Sequence, residues 1–144
     1  MNILNYLHFN NPTSEQEKAL LGMQEFVNDD YDFLILSGAA GTGKTSITSA
    51  LIGYLNEKDK TYKIAAPTGR AARIIGRKSN TLTSTIHALI YNVNVEDKTG
   101  KVFYTLKTSS SSIPTIYIID EASMVSEKKD NSNELFHVNK RNGV

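Results

Sequence analysis

A glycine-rich segment followed by a Lys-Thr pair carries the clearest chemical signal in this sequence. Residues 38–45 fit the pattern Gly-x-x-x-x-Gly-Lys-[Ser/Thr] of a phosphate-binding loop without a mismatch. Glycines let consecutive backbone N–H groups converge on one anion, a lysine adds charge for the β- and γ-phosphates, and a threonine hydroxyl serves Mg²⁺. We therefore expect a nucleoside triphosphate and Mg²⁺ to contact Gly38, Ala40, Gly41, Thr42, Gly43, Lys44 and Thr45.

The segments on either side of the glycines decide between this site and an ordinary glycine turn. Residues 31–37 form an apolar run that predicts a buried strand, and residues 46–56 place apolar side chains on one helical stripe. A strand, a glycine loop and a helix in this order favour the phosphate site, because the start of the helix adds its positive dipole end to the loop.

A second chemical signal follows the apolar run Ile116–Ile119, which predicts another core strand. Asp120 comes directly after this strand, buried at its base, and we expect it to hold Mg²⁺. Glu121 is the candidate general base for an attacking water. The carboxyl ends of parallel strands share one edge of a sheet, so both signals are expected to line one crevice. The alternative to this metal site is an exposed acidic turn after the strand. Within the metal interpretation, the acid pair favours hydrolysis over kinase chemistry.

Composition restricts the possible partners without naming one. The chain has 144 residues, a length typical of one domain, and 16 basic against 15 acidic residues give a net charge of +1. Any polyanion site must therefore be local. The absence of cysteines excludes disulfides and thiolate metal sites and suits a cytoplasmic location. We see no signal peptide, and the apolar runs are too short for a membrane span, so no membrane partner is expected.

Helical and strand patterns alternate along the chain, which predicts an α/β fold with a parallel sheet flanked by helices. A helix with a capping box of Ser14 and Glu17 is expected first, with Ala19, Leu20, Met23, Phe26 and Val27 on one face. Alternating apolar residues around Asp97–Gly100 predict a β-hairpin at about 93–106. The other predicted elements are a strand at 61–66, a short helix at 70–75 ended by Gly76, a helix at 84–91 with Ile86, Leu89 and Ile90 inward, and a polar tail or truncated continuation at 126–144.

Five segments in order resemble the first half of superfamily 1 DNA helicases of the RecD-like and Dda-like branch. They are Gln16, Gly38–Thr45, Ala66–Ala72, Thr85–His87 and Asp120–Met124. The resemblance spans about residues 10–126 and implies a P-loop NTPase of the RecA-like type, with residues 1–125 as a partial, incomplete ATP-binding domain. It implies an ATP-dependent helicase or translocase that acts on single-stranded DNA.

The resemblance also implies roles for residues outside the phosphate loop. Gln16 would bond to the adenine edge and favour ATP, since an amide both donates and accepts. Single-stranded DNA would contact Pro67, Thr68, Gly69, Arg70, Thr85 and His87. On the predicted helix at 84–91, His87 lines up with Ser84 and Tyr91, and this polar face suits stacking on a nucleotide.

Residues 122–144 lack the Gly-Asp-x-x-Gln segment that follows in the family, and the second RecA-like domain that supplies an arginine to the γ-phosphate. Such an arginine is worth roughly 10³–10⁵ in turnover. We therefore expect the isolated chain to be nearly inactive. A stand-alone nucleotide-binding module and a P-loop kinase are the alternatives. The sequence leaves the pathway open among repair, recombination, replication and mobile-element maintenance.

Overall fold

Helices and strands alternate along the chain, as the sequence predicts. The computed structural model describes residues 2–29, 31–108 and 112–125. Its helices are α1 (Ser14–Asn28), α2 (Lys44–Glu57), α3 (Gly69–Ser79) and α4 (Ile86–Ile90), and its strands are β1 (Thr61–Ala66), β2 (Thr83–Thr85), β3 (Tyr91–Val95), β4 (Val102–Leu106) and β5 (Thr115–Ile119). The chain divides into two units, Met1–Tyr62 with Ile75–Thr81 and Lys63–Ile74 with Leu82–Val144.

The first unit is built on α1 and α2, and the apolar stripes expected on both helices are confirmed. The stripe of α1 buries Leu20, Met23 and Val27, each less than a tenth exposed. The stripe of α2 buries Ile47, Ala50, Leu51, Ile52, Tyr54 and Leu55. Because the phosphate-loop residues directly precede this buried helix, its packing holds the start of α2 in place.

A short 3₁₀ helix, Ile3–Tyr6, packs on the same two helices. Ile3 is fully buried, and its N–H donates to Gln24 Oε1 on α1 at 2.8 Å. The ring of Tyr6 meets the ring of Tyr54 on α2 edge-on, with centroids 6.0 Å apart. A Cβ built on Gly53 would lie 2.9 Å from Tyr6 Cδ1. This close approach requires a glycine at position 53.

The second unit contains a three-stranded parallel sheet in the order β2-β1-β5. In the β1–β2 pair, Ile64 lies opposite Thr83 and Ala66 lies opposite Thr85. The helix α3 makes the crossover between these strands, and Thr83 Oγ1 donates to Ala72 O of α3 at 2.6 Å. A crossover helix is what parallel neighbours need, because a tight turn cannot connect them.

The predicted hairpin is confirmed. β3 and β4 pair antiparallel, with Tyr91 opposite Leu106 and Val95 opposite Val102. Gly100 has φ +67° and lies in the turn, where Gly100 N–H donates to Glu96 O at 2.8 Å. The hairpin leaves several apolar side chains exposed, namely Val93, Val95, Val102, Phe103 and Leu106.

The predicted buried strand at 31–37 is wrong. The segment has no strand hydrogen bonds, and Phe33 and Ile35 are 76% and 78% exposed. A strand exists only when a neighbour completes its hydrogen-bond ladder. The sheet described here joins β1, β2 and β5, and within the described residues no strand pairs with 31–37. An apolar run shows that a segment is suited to burial, but it does not supply the pairing partner.

The expected capping box of Ser14 and Glu17 is shifted by one residue. Thr13 is the N-cap, its hydroxyl accepts from Gln16 N–H at 3.2 Å, and Gln16 Oε1 accepts from Thr13 N–H at 3.0 Å. Both pairs satisfy the same sequence pattern. The extended backbone of Thr13 after Pro12 (φ −68°, ψ 159°) makes Thr13 the N-cap, so the pair that forms is Thr13 with Gln16.

Two other helices differ in length from their predictions. α3 continues through Gly76 and ends at Ser79, because Asn80 adopts the left-handed conformation (φ +50°) that commonly terminates a helix. α4 has five residues rather than eight, since strand pairing uses both flanks: Ser84 lies in β2 and Tyr91 in β3. Ile90 is 39% exposed, so the expected inward stripe of this helix is incomplete.

The predicted strand before Asp120 is confirmed as β5, but Tyr117 and Ile119 are exposed, so it is not buried on both faces. The predicted tail at 126–144 lies outside the described residues. Across the residues that are described, no helix has the length and apolar character needed to cross a bilayer.

The close approach of Tyr6 to α2 predicts that a side chain at position 53 destabilises the protein. Alanine in a helix interior is favoured over glycine by about 1 kcal/mol. At Gly53 the clash with Tyr6 should outweigh this gain, and we expect Gly53→Ala to lower the free energy of unfolding by about 1–2 kcal/mol. Urea unfolding followed by circular dichroism measures the change.

Gly22, in the interior of α1, is the matched control. A Cβ built there meets nothing within 4 Å. Gly22→Ala should raise the free energy of unfolding by about 0.5–1 kcal/mol. Stabilisation by both substitutions would contradict the packing of Tyr6 against Gly53.

Candidate functional site

The two long helices of the first unit begin in opposite ways. Thr13 and Gln16 cap α1, and Glu15 and Glu17 lie in its first turn. α2 has Gly43 as its N-cap with no side-chain capping bond, and its first turn carries no acid. The first N–H groups of a helix have no partner within the helix, and the dipole makes this end positive. The start of α2 therefore suits an anion, whereas the start of α1 is already satisfied.

Glycine conformations shape the loop in front of α2. Gly41 and Gly43 have φ values of +80° and +88°, a region that side chains rarely adopt. A Cβ built on Gly38 would lie 3.0 Å from Thr42 Oγ1, and one on Gly43 would lie 2.8 Å from Gln16 Nε2. Glycine is therefore needed at position 43 for its backbone conformation, and a side chain there would also displace the end of the Gln16 side chain.

Lys44 folds its side chain back over the loop. Its Nζ donates to Gly38 O at 2.7 Å and to Ala39 O at 2.8 Å. Thr42 Oγ1 also donates to Ala39 O, at 2.9 Å. The ammonium charge is thus held at the loop by neutral carbonyl groups. Phosphate oxygens are charged acceptors and form stronger bonds than carbonyls, so a bound phosphate can replace these carbonyls as the partner of Lys44.

Gln16 lies against this loop. Its Nε2 donates to Thr42 O at 3.0 Å, while its Oε1 accepts from Thr13 N–H. The sequence pointed to Gln16 as an adenine contact and gave no sign of its bond to the loop. The capping pattern Thr13-x-x-Gln16 was the available signal, since it fixes the side chain at the N-terminus of α1. Thr45 is half-buried in the first turn of α2, and its carbonyl accepts from Ser49 Oγ at 3.0 Å.

The acidic pair follows β5 at the carboxyl edge of the sheet. Asp120 N–H donates to Ala65 O on β1 at 3.0 Å, so the backbone bonding between β1 and β5 reaches Asp120. Its side chain is half-buried rather than buried. Glu121 is exposed and has left-handed backbone angles, φ 53° and ψ 36°, before the 3₁₀ helix Ala122–Met124. A non-glycine residue in this conformation is strained, and such strain is common at functional sites.

The two segments expected to contact a nucleic-acid strand leave neighbouring strands at this same edge. Ala66, the last residue of β1, pairs with Thr85, the last residue of β2. Both segments begin short helices capped by threonines: Thr68 Oγ1 accepts from Ala71 N–H at 3.2 Å, and Thr85 Oγ1 accepts from Ala88 N–H at 3.0 Å. The pairing of β1 with β2 therefore brings the two segments together.

The side chains of these segments differ in exposure. Thr68, Gly69 and Arg70 are exposed, and Pro67 is half-buried. His87 is exposed, and its ring lies 6.1 Å from the ring of Tyr91 at a tilt of 34°. Tyr91 in turn meets Tyr104 edge-on at 6.4 Å. Sequence reasoning did not include Tyr104 in this group, because its place opposite β3 depends on the hairpin register.

A parallel α/β sheet and a glycine loop that opens a helix are two features of the P-loop NTPase class, while the strand that usually precedes the loop is absent at residues 31–37. The chain belongs to the AAA domain family, which matches residues 12–143. It is 29% identical over 121 residues, 83% of the chain, to the ATP-dependent DNA helicase dda of Enterobacteria phage T4. Over 57 residues, 40% of the chain, it is 35% identical to the ATP-dependent RecD2 DNA helicase of Deinococcus radiodurans.

These relatives are much longer than the aligned region. The match covers 28% of the phage helicase and 8% of the Deinococcus helicase. An uncharacterized protein of Methanocaldococcus jannaschii is 33% identical over 102 residues, 63% of the chain and 8% of the relative. The AAA domain match contains the phosphate loop and the acidic pair, and each relative is matched over only part of its own length.

The two glycines with positive φ give a test of the loop geometry. Gly43→Ala adds a left-handed residue, which costs about 1–2 kcal/mol, and also places a Cβ against Gln16. We expect it to weaken the affinity for Mg·ATP by about tenfold or more, measured by isothermal titration calorimetry.

Gly41→Ala is the control, since a Cβ at Gly41 meets nothing within 4 Å. It introduces the backbone strain alone and should weaken binding less than Gly43→Ala. An equal or larger effect at Gly41 would contradict the contact between Gly43 and Gln16.

Proposed function

We propose that this chain is the ATP-binding part of an ATP-dependent DNA helicase or translocase that acts on single-stranded DNA. The observation that carries the proposal is the start of α2, which has no side-chain cap or acid and is preceded by a loop that holds Lys44 over its own carbonyls. The resemblance of five ordered segments to helicases and the similarity to two ATP-dependent DNA helicases support the same function.

The nucleotide would be held by Gly38, Ala40, Gly41, Thr42, Gly43, Lys44 and Thr45. In this proposal Lys44 exchanges the carbonyls of Gly38 and Ala39 for phosphate oxygens, and the first N–H groups of α2 donate to the same phosphates. Gln16 would contact the adenine edge, which favours ATP. These contacts bind and orient the triphosphate, and the dipole of α2 lowers the free energy of the bound anion.

Thr45 and Asp120 are the proposed protein ligands of Mg²⁺. A hydroxyl and a carboxylate are the hard oxygen donors that this ion takes, with phosphates and water supplying the other positions. Among the described residues no group of three or more His, Cys, Asp or Glu side chains suits a metal ion. Bound there, Mg²⁺ would neutralise charge on the phosphates.

Glu121 is the proposed general base. In this proposal its exposed carboxylate accepts a proton from the water that attacks the terminal phosphate. The acid pair thus fits hydrolysis. The resemblance assigns a further arginine to a second RecA-like domain, and on that basis we expect slow hydrolysis by this chain alone.

Single-stranded DNA would bind at the edge shared by β1 and β2. Thr68, Gly69 and Arg70 would meet phosphates there, and Pro67 and Thr85 would also contact the DNA strand. His87 would offer a ring for stacking on a base. The pairing of Ala66 with Thr85 supports this grouping. The lack of cysteines and a nucleic-acid substrate fit a cytoplasmic protein without a membrane partner, which is part of the proposal.

Removing the charge of Lys44 tests the nucleotide site. Lys44→Ala should abolish the thermal stabilisation by Mg·ATP, because it removes the ammonium group that neutralises the phosphates. The unmodified chain should be stabilised by about 2.7 kcal/mol at 100 times its dissociation constant.

Lys18→Ala removes the same charge from an exposed position on α1 and serves as the control. It should leave the ATP-dependent shift unchanged. If Mg·ATP stabilises the Lys44→Ala chain as much as the original, the nucleotide lies elsewhere.

Arg70 tests the strand-binding edge. We expect Arg70→Ala to weaken binding of a labelled oligo(dT) and to reduce the magnitude of the salt slope, log K against log [salt], by about 0.7, the value for one lost phosphate contact on a single strand. Fluorescence anisotropy over a range of salt concentrations measures both. Arg77, exposed in the last turn of the same helix, is the control. An equal loss in Arg77→Ala would show that binding depends on net charge alone.

A further inference from the structure

We infer that Gln16 is a positioning residue for the phosphate loop, one that supports binding of any polyphosphate and not only of adenine nucleotides. The inference rests on the proposed function of the loop. Gln16 lies in the first turn of α1, 26 residues before Thr42, and its Nε2 donates to Thr42 O at 3.0 Å. This bond ties the loop to a helix that the loop does not belong to.

The other hydrogen bonds of the loop are local. Thr42 Oγ1 bonds to Ala39 O, and Lys44 Nζ bonds to Gly38 O and Ala39 O. The bonds of Lys44 are the ones that a bound phosphate would replace. The bond from Gln16 Nε2 to Thr42 O is not one that a phosphate would replace, so it can persist when Lys44 moves. It would then keep the carbonyl of Thr42 turned away from the anion, with the following N–H groups directed toward it.

The backbone of Thr13 holds the amide of Gln16 in this place. Gln16 Oε1 accepts from Thr13 N–H at 3.0 Å. An amide fixed at its oxygen loses little further side-chain freedom when its nitrogen donates to the loop. Gly43 adds an independent observation, since a Cβ there would lie only 2.8 Å from Gln16 Nε2. The side chain packs on the loop as well as bonding to it.

These contacts leave room for an adenine contact. A glutamine amide has two N–H donors and two lone pairs on its oxygen. The loop uses one donor and the cap uses one lone pair, so one of each remains. Gln16 can therefore read a base edge and hold Thr42 at the same time, which would couple adenine binding to the shape of the phosphate loop.

Inorganic tripolyphosphate separates positioning from base reading, because it has no base. We would titrate the chain with Mg·tripolyphosphate, Mg·ATP and Mg·GTP by calorimetry, comparing wild type, Gln16→Leu and Thr13→Val. Gln16→Leu removes the donor to Thr42 without adding charge. It should weaken tripolyphosphate binding by about 3- to 10-fold, the effect of one hydrogen bond.

Thr13→Val is the matched control for capping. It removes the hydroxyl of the cap but leaves Gln16 Oε1 on Thr13 N–H and Gln16 Nε2 on Thr42 O. Tripolyphosphate affinity should stay within about twofold of wild type. Two results would overturn the inference: Gln16→Leu loses only the preference for ATP over GTP, or Thr13→Val weakens tripolyphosphate binding as much as Gln16→Leu does.

Backbone ¹⁵N relaxation in the ligand-free chain gives a second readout, one that does not depend on the proposed function. The order parameters of residues 41–44 should fall from about 0.85, typical of rigid backbone, toward about 0.6 in Gln16→Leu, and should fall less in Thr13→Val, if Gln16 holds the loop. Equal order parameters in the two variants would overturn positioning. If the wild-type chain binds neither ATP nor tripolyphosphate, the proposed function fails, and the order parameters still decide the role of Gln16.

Discussion

Unpaired N–H groups at the start of α2 are the physical constraint on which the first unit is organised. A helix must leave its first donors without helical partners, and α2 supplies no capping side chain and no acid to satisfy them. The buried stripe of α2, packed with α1 and the 3₁₀ helix Ile3–Tyr6, fixes where those donors lie. The loop then bends sharply enough at Gly41 and Gly43 to face them. An anion is the ligand that this arrangement stabilises, because it accepts several hydrogen bonds and meets the positive end of the dipole.

The second unit is organised by the ends of its parallel strands. β1, β2 and β5 end at a common edge. Each strand is followed by side chains that can bind a ligand or take part in proton transfer, namely Thr68 and Arg70, His87, and Asp120 with Glu121. Parallel pairing causes this grouping, since it aligns carboxyl ends that are far apart in sequence. At this edge Glu121 has left-handed backbone angles, and the ring of His87 is exposed.

Local patterns predicted the parts that depend on local physics. The stripes of α1 and α2, the turn at Gly100 and the glycine loop follow from spacing and backbone preference, and each could be derived from the sequence. Contacts between distant residues could not. Residues 31–37 are apolar enough for a strand, but pairing partners decide whether a strand forms. The bond from Gln16 to Thr42 depends on how α1 packs with α2, which no local pattern encodes. The aromatic neighbours of His87 likewise depend on the register of the hairpin.

The family match and the geometry of the candidate site concern the same residues. The AAA domain match covers the glycine loop and the acidic pair, and the same residues have the geometry of an anion site and a sheet edge. Lys44 lies within the matched region, and its charge is held by carbonyl oxygens that a phosphate would replace.

A crystal structure of the chain with Mg²⁺ and a non-hydrolysable ATP analogue tests this exchange most directly. Lys44 Nζ should leave the carbonyls of Gly38 and Ala39 and lie about 2.7–2.9 Å from a phosphate oxygen, with the phosphates at the N-terminus of α2. A triphosphate bound elsewhere, with Lys44 still bonded to both carbonyls, would contradict the central claim.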